Sequence, residues 1–201
     1  MSDFEEVLAP THYFDRNFQI EAAKILPGEY YVTARDMMLV TTLGSCVSAC
    51  IRDTGNGIGG MNHFMLPEGG DPHNPLSSSA RYGGYAMEVL LNQLLKLGAS
   101  RTRMEAKVFG GGAVLRGFTT VNVGELNSEF VLDYLKRERI KLVASDLRDL
   151  YPRKVYYFPA TGRVMVKKLK QVHNNTIVER EKDYGARLKK SDLAGDVELF
   201  T

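Results

Sequence analysis

Two short apolar runs, Val47–Ile51 and Ile58–Leu66, flank the six residues RDTGNG at Arg52–Gly57. Runs of this length bounded by Asp, Asn and Gly read as two strands joined by a turn. The register of that hairpin depends on where the turn is centred. Centred on Thr54-Gly55, it sets Cys46 directly opposite His63, with Cβ atoms about 4.5–5.5 Å apart. Centred on Gly55-Asn56, it leaves the two residues on one face as diagonal neighbours. Centred on Asn56-Gly57, the best two-residue turn signal, it separates them too far for contact. The pattern permits a thiol–imidazole pair without compelling one.

Further strands read from the sequence are Glu29–Thr33 (EYYVT) with Met37–Val40 continuing in an apolar vein, Ala106–Phe109, Ile140–Leu147, and a hairpin of Lys154–Phe158 with Val164–Leu169 around Ala160-Thr161-Gly162. Arg81–Leu97 reads as a helix with Tyr82, Ala86, Val89 or Leu90, Gln93 and Leu97 along one face, Ser79 at its start and Gly98 at its end. Asn127–Arg139 reads as a second helix burying Phe130, Val131, Tyr134 and Leu135. The fold class is therefore α+β, mixed or antiparallel sheets packed with helices in one domain. Residues 1–28, with Pro10 and Pro27, read as an arm or short helix. Residues 29–170 form the main domain and 171–201 a C-terminal extension. Pro67–Ser79 (PEGGDPHNPLSSS) is a long loop, of the kind that is usually functional or mobile.

With 201 residues, 44% of them hydrophobic, the chain can bury a core without metals or cross-links. A net charge of +2 argues against nucleic acid as a partner. The basic residues near the C-terminus alternate with Glu179, Glu181, Asp183 and Asp192, as on a solvated tail. No apolar run approaches the ~20 residues a membrane helix needs, and MSDFEEVLAP lacks the basic start and apolar stretch of a secretory signal. The expectation is a cytoplasmic protein without membrane insertion. Cys46 and Cys50 are the only cysteines. On a strand, residues four apart are roughly 13 Å from each other at about 3.3 Å per residue, too far for a disulfide. Both are expected to be free thiols, and a lone Cys-x3-Cys is no zinc motif.

A free cysteine is mostly protonated at neutral pH, and an adjacent imidazole makes its thiolate available. Leu43-Gly44-Ser45 places a glycine before Cys46, where the backbone can turn and aim N–H groups of Gly44 and Ser45 at a developing oxyanion. Thr41 or Thr42 could orient the histidine through a hydroxyl. Set against this, a cysteine beside an apolar strand is often a small buried hydrophobe, and Cys50 is assigned that role. His73, in the long loop, competes with His63 as base; His12 and His173 fall in the outer arms. Gly110-Gly111-Gly112 follows a strand but lacks both GxGxxG and the Walker lysine spacing. It reads as backbone approaching closely near the site.

Taken in order, PGEYYV, TTLGSCVSAC, GGMNHFMLP, ARYGGYAMEVLL, AKVFGGG and YPRKVYYFPATGRVMVKKL resemble the CheD family of chemoreceptor glutamine deamidases over Pro27–Leu169. The resemblance implies a layered fold of the bacterial toxin-deamidase type. It also implies a cytoplasmic enzyme that hydrolyses receptor glutamines to glutamate without metal or organic cofactor. Carried over by position, Cys46 is the nucleophile, His63 the base and Thr41 the third residue, with Thr42 second; Val40 stands where some members have threonine. Implied partners are methyl-accepting chemotaxis receptors as substrate and a CheC-type phosphatase.

Overall fold

The structure, a computed structural model, describes residues 7–67, 74, 77–114, 122–169 and 175–193. His73, His173 and most of the Pro67–Ser79 loop lie outside the described residues. Along the chain run strands β1 (Val7–Leu8), β2 (Thr11–Asp15), β3 (Ile20–Lys24), β4 (Glu29–Thr33), β5 (Met38–Leu43), β6 (Val47–Asp53) and β7 (Gly59–His63). Helix α1 (Ser78–Lys96) follows, then β8 (Met104–Gly110), α2 (Val123–Arg137), β9 (Lys141–Leu147), β10 (Arg153–Phe158), β11 (Arg163–Lys168) and α3 (Asn175–Leu193). The strands form a six-stranded sheet, β1-β4-β7-β6-β8-β9, and a five-stranded one, β11-β10-β5-β3-β2. Both mix parallel and antiparallel pairs. The class is α+β, as the patterns predicted.

Strand β6 is apolar or small almost throughout and buried on both faces, because it lies between two layers. One face meets the helices: Asn62 Nδ2 donates to Ala86 O of α1 at 3.2 Å, and Phe64 packs edge-on against Phe130 of α2. The other face meets the second sheet, where Lys107 Nζ reaches Gly162 O at 2.7 Å and Thr41 of β5 touches His63 of β7. By the two-residue period of a strand, Cys50, Met61 and His63 share this second face. Anything built there is sandwiched between sheets.

Several expectations need correction. Residues 7–28 are neither an arm nor a short helix: β2 and β3 pair as a hairpin, β3 lies beside β5 and β1 beside β4. The β2–β3 hairpin turns at Arg16–Gln19, a stretch with neither Gly nor Pro, and β2 is mostly exposed, so the usual turn and strand signals are weak there. Helix α2 starts four residues early because Asn122 caps it, its side chain accepting from Glu125 N at 3.3 Å. Its buried stripe is the expected one. In α1 the buried face is Tyr82, Ala86, Met87, Leu90, Leu91 and Leu94, while Leu97, past the helix end, is exposed. Ser79 does not precede α1 but lies in its first turn, donating Oγ to Pro67 O at 2.7 Å. The C-terminal charges do not form a uniformly solvated tail: α3 buries Ile177, Glu181, Tyr184 and Leu188 along one face.

Candidate active site between the two sheets

The β6–β7 register pairs Cys50 with Met61 and Arg52 with Gly59, and a bridge joins Val47 to Phe64. This is the hairpin centred on Gly55-Asn56, so Cys46 and His63 are diagonal neighbours. Side chains decide it. Asp53 Oδ1 accepts from Gly55 N at 2.8 Å and Asn56 Oδ1 from Ile58 N at 3.1 Å. Both bonds favour a four-residue loop over a tight Asn-Gly turn.

His63 is fully buried, and its ring orientation is fixed from the second sheet. Thr41 Oγ1 donates its one proton to Ile25 O at 2.7 Å. The 2.8 Å contact between Thr41 Oγ1 and His63 Nδ1 must then run from ring to hydroxyl. Nδ1 carries the proton and Nε2 keeps its lone pair. Nε2 is buried and has no hydrogen-bond partner among the described residues. Burial lowers the imidazole pKa to about 3, with a smaller opposing effect of the Ile25 backbone and a further lowering by Arg180. The ring is therefore a neutral base. Thr42, its neighbour on the opposite strand face, does not take this place.

Cys46 ends the short loop between β5 and β6. Two amides of the glycine run hold that loop: Gly111 N donates to Cys46 O at 2.8 Å and Gly112 N to Gly44 O at 2.7 Å. Asn127 of α2 adds a third tie, Nδ2 donating to Ser45 O at 2.8 Å while its Oδ1 accepts from Leu66 N at 2.8 Å. Only glycine serves at 110, where φ is +109° and a Cβ would lie 2.1 Å from Cys46 O. With these carbonyls engaged behind the loop, the N–H groups of Gly44, Ser45 and Cys46 converge on its other side. They form a nest for negative charge. The nest is filled. Glu181 of α3, only 2% exposed, accepts from Gly44 N at 2.8 Å and Cys46 N at 3.2 Å on Oε1. Its Oε2 accepts from Ser45 N at 2.8 Å and Ser45 Oγ at 2.6 Å.

With α3 in place, Cys46 is 0% exposed. Burial raises its thiol pKa well above the ordinary value, and the Glu181 charge and hydrogen bond raise it further. The sequence-based picture of a thiolate ionised by its histidine is thus not the state of this closed site; both partners are neutral. Cys50 is a free, buried thiol packed toward the second sheet, as expected, and its pKa is also raised by burial.

The CheD family model, described as CheD chemotactic sensory transduction, matches residues 65–168, just over half the chain. Cys46 and His63 lie before that match. Full-length relatives cover them. The chain is 68% identical to a probable chemoreceptor glutamine deamidase CheD of Thiobacillus denitrificans, over 99% of both proteins. It is 66% identical to the one of Methylobacillus flagellatus, over 98% of both. This chain belongs to the CheD family. A solved structure, Bacillus licheniformis hypothetical protein YfiH, aligns at 13% identity and TM-score 0.38 over 73% of this chain and 66% of that one. That likeness is too low to carry any argument.

In this CheD-family chain, Cys46, His63 and Glu181 bring one ligand atom each within 4.8 Å of one another, as a metal set could. The donor set does not fit. Each carboxylate oxygen already accepts two hydrogen bonds, which uses its lone pairs. An anion in an amide nest explains the geometry without a cation. The structure brings together the residues the sequence singled out: Thr41 bonds His63, and Gly44, Ser45 and Cys46 form one loop beside it. Sequence reasoning missed Asn127 and Glu181. A signal for Glu181 exists: it interrupts an otherwise apolar stripe at 177, 184 and 188.

Proposed function

We propose that this chain is a protein-glutamine deamidase acting on methyl-accepting chemotaxis receptors, with Cys46 as nucleophile, His63 as base and Thr41 as the residue that orients it. The relatives' name supports the substrate class. The observation that carries the chemistry is the Thr41–His63 bond, which leaves Nε2 without a partner among the described residues while a ring nitrogen of His63 lies within 4.8 Å of Cys46 Sγ, next to the amide nest.

The reaction follows from those positions. His63 Nε2 takes the Cys46 proton as Sγ attacks the side-chain carbonyl carbon of a receptor glutamine. The amides of Gly44, Ser45 and Cys46 hold the resulting oxyanion. The C–N bond breaks as His63 returns the proton to the departing ammonia, leaving a thioester. Water, deprotonated by His63, cleaves the thioester to glutamate and restores the thiol. Hydrolysis of receptor methyl esters follows the same thioester route. The wider reading places the enzyme in the cytoplasm, on a fold of the toxin-deamidase type, with a CheC-type phosphatase as a regulatory partner.

The test is incubation with receptor cytoplasmic fragments. Ammonia release and a one-dalton gain at particular glutamines are expected, both lost in Cys46→Ala. Conversion at the wild-type rate by Cys46→Ala would refute Cys46 as the nucleophile, binding of the fragments without ammonia release by the wild type would leave only a binding role, and chain cleavage would indicate a different cysteine hydrolase.

A further inference from the structure

The Cys46 site is closed. Its nucleophile is 0% exposed, and the nest that would hold an oxyanion is occupied by the side chain of Glu181. Glutamate is the product of glutamine deamidation, and in this chain it is presented from a helix. We infer that α3 is a tethered product mimic: it docks Glu181 where the reacting side chain of a receptor helix sits, and the enzyme turns over only when α3 lifts. The inference rests on the deamidase reading and adds to it a regulation built into the same site.

Three independent features show that the docking is built. Glu181 stands in the middle of the buried stripe of α3, between Ile177, Tyr184 and Leu188, where an unpaired carboxylate would be expelled. Its four hydrogen bonds all come from the Cys46 loop. The surface beneath is shaped to the helix: a Cβ at Gly44 would lie 2.8 Å from the Glu181 carboxylate oxygens, and one at Gly28 would lie 3.0 Å from the Tyr184 ring. The docked carboxylate also opposes chemistry, because its charge holds the Cys46 proton in place. A carboxylate has no neutral leaving group, so Glu181 blocks the site without being consumed.

The substitution Glu181→Gln turns the mimic into a substrate. Cys46 Sγ would add to the carbonyl carbon of the introduced amide, and the C–N bond would break with the proton passing from His63 to ammonia. Water would then cleave the thioester and restore Glu181. Purified Glu181→Gln protein is expected to gain one dalton at position 181 over time, and the double variant with Cys46→Ala is expected to keep its amide. In a Cys50→Ala background, Glu181→Ala should raise the rate of Cys46 alkylation by iodoacetamide at least about fivefold, the low end of a typical coupling between sites. Receptor deamidation should rise with it. The proposal is overturned by an unchanged alkylation rate together with a stable amide in the Glu181→Gln protein. It is equally overturned if Glu181→Ala is alkylated quickly yet deamidates receptors more slowly, since Glu181 would then belong to the catalytic machinery. Neither alkylation nor self-conversion uses a receptor, so failure of the receptor assay alone refutes the substrate assignment and not the docking.

Discussion

At Thr41, one hydroxyl settles the tautomer of His63. Its proton is committed to Ile25 O, so it can only accept from Nδ1. Thr41→Val removes that acceptor and frees the ring to turn or to protonate on Nε2. A loss of about 1–3 kcal/mol of transition-state stabilisation, roughly 5-fold to 150-fold in kcat, is expected with little change in KM. Thr41→Ser should recover most of it. The same buried ring makes stability depend on pH. Its folded pKa of about 3 lies below the ordinary 6.5, so between these values the unfolded chain binds the extra proton. Stability from this group is complete above pH 6.5 and falls as pH drops toward 3, by at most about 1.4 kcal/mol per pH unit. The groups facing the ring are Cys46, Glu181 and Arg180. Urea unfolding of His63→Gln across this window should show a shallower slope than wild type.

The Cys46 loop owes its shape to elements that contact it from behind. Asn127→Ala on α2 would leave both Ser45 O and Leu66 N buried without a partner. The expected cost is about 2–4 kcal/mol, read by thermal melting. Asn127→Asp should cost at least as much, because a carboxylate would face Ser45 O. Gly110→Ala pushes a methyl into the Cys46 carbonyl at a positive φ, a strain of roughly 2–3 kcal/mol or more that should also depress kcat. At the other end of β6, the Arg103 guanidinium holds the buried Asp53 carboxyl well below the usual carboxylate range. Its stabilisation is present above pH ~4 and is lost as pH falls below that. Arg103→Gln should therefore lower Tm at pH 7, with the gap to wild type narrowing in acid.

Across the whole molecule, one core joins residues of both sheets, α1 and α2, and α3 adds to it only Tyr184 and Leu188 of its single buried stripe, beside the Glu181 carboxylate. Hydrogen exchange should find the amides of β5 and β6 protected to the level of global unfolding and those of α3 opening independently at lower cost. Equal protection of both would mean that α3 is not a separable unit. Periodicity alone located the long apolar strands, the buried stripe of α2 and the β10–β11 hairpin, because those signals are local and repeat every two or three to four residues. The order of motifs pointed to the family, and Cys46, His63 and Thr41 were legible from it. Tertiary structure decided the rest. Strands β2 and β3 form a hairpin whose turn carries neither Gly nor Pro, and β1 is a two-residue strand that pairs only with β4, so local pattern gave little sign of sheet there. Asp53 and Asn56 chose the hairpin register through side-chain bonds that strand propensity does not encode. Glu181 looked like one charge among many in a solvated tail, and only the fold brings it 135 residues back to the N–H of Cys46. A buried charge is tolerable only where donors converge on it, and that convergence is a property of three-dimensional packing.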